Sequence, residues 1–103
     1  MKHLWLFGIA ALLALGFPFR AAYAYTECTV NVSQIFSGDG GNIWIRFTNG
    51  GAAVILSNDP DRQATLSLAM TALVTSRTVT ARYTANGASC SATNMDLEGF
   101  WLN

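Results

Sequence analysis

A carboxylate pair, one tryptophan between polar neighbours and two distant cysteines are the groups through which this 103-residue chain could do chemistry. Asp96 and Glu98 stand two residues apart, and on an extended strand both would point to one face. A hydrolase acting on a glycosidic bond needs two carboxylates converging in this way. Trp44 alternates with Asn42 and Arg46, so a strand would carry an indole, an amide and a guanidinium on one side. Such a set suits contact with a ligand, by stacking on an apolar face and hydrogen bonding around it. Asn42, Trp44 and Arg46 are therefore the expected ligand contacts. Cys28 and Cys90 lack the Cys-x-x-Cys spacing of a redox or zinc pair.

Subtraction removes most other chemistry. The only histidine is His3 and the only lysine is Lys2. No Ser-His-Asp or Cys-His arrangement can form beyond the first residues, and Schiff-base and Ser-Lys chemistry lose their amine. SGDGGN, residues 37–42, fits neither a Gly-x-Gly-x-x-Gly loop nor a calcium loop, and it reads as a hairpin turn. Asp96 and Glu98 read better as a solvated strand face near Arg82 than as a catalytic pair. The expectation is a protein that is not an enzyme and that carries no cofactor or metal.

The first 24 residues have the layout of a secretory signal peptide. Lys2 gives a positive start, Leu4 to Phe17 is apolar, and Ala22-Tyr23-Ala24 places small residues before a cut at Tyr25. Pro18 and Arg20 end the apolar run short of the roughly 20 residues a spanning helix needs. Cleavage leaves residues 25–103 as one domain with no membrane span, in the periplasm or outside the cell. Four arginines then face six carboxylates, a slight acidic excess that makes nucleic acid an improbable partner. In an oxidising compartment Cys28 and Cys90 most simply pair with each other, as a structural disulfide.

The elements that must hold these groups follow from periodicity. Cys28, Val30 and Val32 alternate with polar residues in a first strand, and the phase slips at Gln34-Ile35-Phe36, the mark of a bulge. Ile43, Ile45 and Phe47 alternate with Trp44 and Arg46 in a second strand. Asn49-Gly50-Gly51 reverses the chain into a third, Ala52 to Ser57. Asp59 as N-cap and Pro60 at the first helical position open a helix to about Ser76, with Leu66, Ala69, Met70 and Leu73 as its buried face. Val79, Ala81 and Tyr83 mark a fourth strand. Met95 to Leu102 reads as the fifth, with Leu97 and Trp101 on one inward face.

Five short strands with one helix between the third and fourth is the layout of an OB-fold barrel. The alternative is an open antiparallel sheet with the helix packed across it. The run LSLAMTALVTSRTVTARY, then Cys90, then MDLEGFWL also resembles the C-terminal half of the small exported B subunits of the pertussis-like and subtilase-cytotoxin-like group. The resemblance implies an OB-fold and, in toxin members, a glycan-binding ring of five subunits that carries a separate catalytic subunit. It maps onto Leu66 to Ser76, Val79 to Tyr83, Cys90 with Cys28, and Leu97 to Leu102, and it assigns no sugar-contacting residue. The functional expectation is an exported, non-enzymatic binding module that recognises a glycan or a protein and can assemble with copies of itself. The other reading is a stand-alone periplasmic or secreted structural or inhibitor-like protein.

Overall fold

The computed structural model describes residues 24–103, so the expected leader, apart from Ala24, lies outside the described residues. None of the described helices is long and apolar enough to cross a membrane. The chain is mainly β. Its elements are β1 (Thr26–Gly38), β2 (Asn42–Phe47), β3 (Ala52–Ile55), α1 (Arg62–Thr75), β4 (Thr78–Tyr83), β5 (Thr93–Asn94) and β6 (Leu97–Leu102).

All six strands share one sheet in the order β5-β3-β2-β1-β4-β6. β1 is long enough to pair with β4 through its first half and with β2 through its second. The inner face carries the expected alternation: Cys28, Val30 and Val32 from β1, Ile43, Ile45 and Phe47 from β2, Val79, Ala81 and Tyr83 from β4. β5 and β6 occupy opposite edges of the sheet, yet only Met95 and Asp96 separate them. Three residue steps reach about 11 Å at full extension. The two edges must therefore approach each other, and the sheet is a curled half-barrel. β3 and β5 pair in parallel through Ala52–Thr93 and Ala53–Asn94, on the side where the curl comes nearest to closing.

Four local expectations are corrected. The last strand, expected from Met95, begins only at Leu97, and an unexpected short strand, β5, forms ahead of it at Thr93–Asn94 with a break between the two. Asp96 at the break is occupied as an acceptor, its Oδ2 taking bonds from Thr84 Oγ1 and Ala85 N–H, each at 2.9 Å. A register shift opposite Arg82 and Tyr83 leaves Glu98 without a rung. That extra residue puts Leu97 and Trp101 on opposite faces, so Trp101 is 44% exposed rather than in the core. Phe100 and Leu102 face inward instead.

The helix starts at Arg62, with Asp61 as N-cap making no side-chain cap bond. Asp59 Oδ1 accepts the Asp61 N–H at 2.8 Å, a local turn that takes Pro60 out of the helix. The buried side of α1 is Thr65, Ala69 and Ala72, with Leu66 partly buried against the core. Met70 and Leu73, expected inside, are 52% and 39% exposed. Small residues at 65, 69 and 72 let the helix axis sit close to the sheet, and this close fit outweighs the larger side chains one position round.

At the reversal between β2 and β3 the turn behaves as its residues require. Gly50 has φ +93°, and Asn49 braces the reversal by accepting the Gly51 N–H and donating to the Cys90 carbonyl at 3.0 Å. A Cβ on Gly51 would collide with that carbonyl. Cys28 and Cys90 form a disulfide with Cα atoms 5.6 Å apart, closing a separation of 62 residues.

Candidate binding groove on the outer face of the first hairpin

The bulge in β1 sets the site. Ser33 is the inserted residue between the Val32–Phe47 and Gln34–Arg46 rungs, and its Oγ donates to the Arg46 carbonyl at 3.1 Å. The insertion turns Ile35 inward opposite Ile45 and turns Gln34 and Phe36 outward. Three outer rungs result: Gln34 beside Arg46, Phe36 beside Trp44, and Gly38 beside Asn42.

The middle rung is an aromatic pair. Phe36 is 46% exposed, and its ring lies over Gly38, where a Cβ would stand 2.6 Å from Phe36 Cζ. Trp44 is half-buried, and its Nε1 is fully buried with no hydrogen-bond partner. A buried donor left unpaired costs about 1–3 kcal/mol, so the indole is held by packing. Arg46 Cζ lies 5.9 Å from the Trp44 ring centroid, at the outer limit of a cation–π contact.

These side chains, with Ile35 and Asp39, line a groove of about 380 Å³. Asp39, Gly40 and Gly41 at its end all have positive φ, at 54°, 82° and 103°. The turn is tied to the helix by Arg62, whose Nη2 donates to the Gly41 carbonyl at 2.9 Å. The groove therefore offers an aromatic floor, a guanidinium and a carboxylate of opposite sign, and the Gln34 amide. Among the described residues the one ion pair is Arg82–Glu27, which leaves the charges of Arg46 and Asp39 available to a ligand.

Of the three residues expected to contact a ligand, the fold brings Trp44 and Arg46 together in this groove. Asn42 is on the same face, but its Oδ1 accepts the Ser57 N–H at 3.2 Å and it does not line the groove. Gln34, Phe36 and Asp39 join the site without having been expected there. The phase slip at 34–36 was their signal, but the alternation could not say which side of the slip pointed out.

The carboxylate pair does not assemble. Asp96 is engaged with Thr84 and Ala85 ahead of β6, and Glu98 sits on the bulge. Arg82 pairs with Glu27, donating from Nε and Nη2 to Oε2 at 3.0 and 2.8 Å, and this bond raises the guanidinium pKa. The same guanidinium lies between two rings, 4.2 Å from Tyr25 and 5.1 Å from Trp101. Tyr83 is in the core, and burial pushes its phenol up to about 12. No group of three or more histidine, cysteine or acidic side chains among the described residues is placed to hold a metal ion.

No model of a known protein family matches the chain, and no curated protein sequence matches it.

Proposed function

We propose that this chain is an exported, non-enzymatic binding module that holds a glycan in the groove between Phe36 and Trp44. The observation that carries the reading is the outward aromatic rung beside Arg46, Gln34 and Asp39. A sugar presents an apolar ring face for stacking and hydroxyls for bonding, and the groove supplies rings, a guanidinium, a carboxylate and an amide at its walls. Export follows from the leader reading, and the Cys28–Cys90 disulfide supports an oxidising destination. The lack of histidine and lysine after residue 24 supports binding without catalysis.

In this reading β5 and β6 are two halves of one bent strand, and the domain is a five-stranded OB-fold-like barrel. Its first half strand pairs in parallel with β3 and its second pairs antiparallel with β4. That architecture supports the resemblance to the B subunits of the pertussis-like and subtilase-cytotoxin-like group.

A second reading, recognition of protein or of further copies of the chain, is favoured by one observation. The outer side of α1 presents Met70, Leu73 and Val74, and the hydroxyls of Ser67, Thr71 and Thr75 bond back to carbonyls one turn earlier. Such a side makes little use of water. The two readings separate by experiment. A glycan array probed with wild type and Trp44→Ala is expected to show sugar signals that the variant loses while keeping its unfolding transition. No signal from wild type on any sugar would sink the glycan reading. Mass measurement under non-denaturing conditions is expected to report an oligomer, and a monomer at micromolar concentration would end the ring.

A further inference from the structure

A second surface, remote from the aromatic groove, follows from the hydrogen-bond phase of β6. Asn103 N–H donates to the Thr78 carbonyl at 2.9 Å, which makes Thr80–Trp101 and Arg82–Gly99 the bonded rungs of the antiparallel pair. The backbone N–H and C=O groups of Phe100 and Leu102 must therefore point away from β4. β6 is the outermost strand of the sheet, and no other described group bonds to these four atoms. An edge of this kind is a template for pairing with another chain.

A groove follows that edge. One wall is formed by Leu97, Glu98, Gly99 and Phe100 in succession. Gly99 and Phe100 belong to opposite faces of the sheet and Glu98 is the bulged residue between rungs, so a groove touched by all four runs along the strand edge. The opposite wall is the first half of α1, at Ala64, Thr65 and Leu68. Past Leu97 the groove opens into a hollow of about 410 Å³ floored by Val54, Leu56, Met95 and Leu97. Leu56 and Met95 are exposed there, at 36% and 52%.

The rim of both spaces is acidic. Asp59, Asp61 and Glu98 border each of them, and none of the three forms an ion pair, Glu98 acting on Arg82 only at a distance. Arg82 is paired with Glu27, Arg62 donates to Gly41, Arg77 donates to the Asn103 carbonyl at 2.6 Å, and Arg46 lies over Trp44. Charge complementarity therefore selects a cationic occupant, and the paired apolar floor and open backbone edge select an extended one.

We propose that the β6 edge binds an extended, basic polypeptide segment of a partner protein as an added strand. Its backbone bonds to Phe100 and Leu102, an apolar side chain enters the Val54–Met95 hollow, and a lysine or arginine meets Asp61 and Glu98. This is recognition by strand addition, in which main-chain bonds give affinity and alternate side chains give selectivity.

The test uses the purified protein and three capped hexapeptides: alternating valine and lysine, alternating valine and glutamate, and the lysine peptide with N-methylated valines. Binding is followed by NMR titration and by amide exchange at Phe100 and Leu102. The lysine peptide is expected to bind and to slow exchange at both amides about tenfold. The glutamate and N-methylated peptides are expected to fail. Asp61→Asn with Glu98→Gln is expected to weaken the lysine peptide roughly tenfold while leaving the free protein's spectrum intact. The proposal is overturned if the lysine peptide does not bind, or if the N-methylated peptide binds equally well. It is also overturned if both amides are already protected in a peptide-free dimer, which would give the edge to a second copy.

Discussion

Replacing both cysteines by alanine, Cys28→Ala with Cys90→Ala, opens a covalent loop with a sequence separation of 62. In the chain-entropy picture, closing a loop of that length removes about 4 kcal/mol of freedom from the unfolded ensemble. The native side of the balance changes little. Cys28 is buried, but alanine fills most of its space, and the Cys90 carbonyl stays bonded to Asn49 Nδ2. Almost the whole effect should therefore appear as a loss of folding free energy of about 4 kcal/mol, a large share of the 5–15 kcal/mol typical of a domain. Urea unfolding followed by tryptophan fluorescence measures it. The slope should also steepen, because the unlinked unfolded chain exposes more surface. A loss under about 2 kcal/mol, with no change in slope, would refute the unfolded-state reasoning and place the worth of the disulfide in native contacts.

Three further outcomes test the packing and the titration. Gly51→Ala is expected to destabilise by about 1–3 kcal/mol in the same assay, because its Cβ collides with the Cys90 carbonyl and crowds Ser91 Cα at 3.1 Å. Met70→Gln should change stability by less than about 0.5 kcal/mol, and Ala69→Gln should cost more than about 2 kcal/mol. Equal costs would restore the helix face read from periodicity. The raised Tyr83 pKa gives a sign for alkaline pH. The folded state holds the phenol proton more tightly than the unfolded chain, so this contribution is complete below pH 10 and lost as pH rises through about 12. Absorbance at 295 nm should show Tyr83 ionising together with unfolding, and Tyr83→Phe should abolish that coupled step.

Much of the sheet was legible because its inner face obeys a period of two. Cys28–Val32, Ile43–Phe47 and Val79–Tyr83 each alternate cleanly, and each faces the core. The cysteine pairing was legible because the chain has only two cysteines, too far apart in sequence for a redox or metal pair. Misreadings came where one residue changes the count or where competing local bonds change an end. Glu98 is a single unpaired residue, and it moved Trp101 from the core to the surface. Asp59 has the residue type of a cap, but its carboxylate closes a turn two residues on. In α1 a wide apolar arc left the buried side ambiguous, and the sheet accepted the smaller residues. For the binding groove, the sequence placed Trp44 and Arg46 on one outward face. Phe36, Gln34 and Asp39 became visible only once the bulge was fixed at Ser33.

The disulfide divides the molecule in a way the sheet order does not. Traced through covalent bonds, the protein is a closed ring from Cys28 to Cys90 that holds most of β1, all of β2, β3 and α1, and β4. β5 and β6 hang outside it as a tail. A tail can peel from the sheet without lengthening the ring, while the ring can open only by melting as a unit. Native-state exchange, limited proteolysis and pulling from the two ends should therefore all find β6 as the first element released, with the cross-linked body surviving its departure.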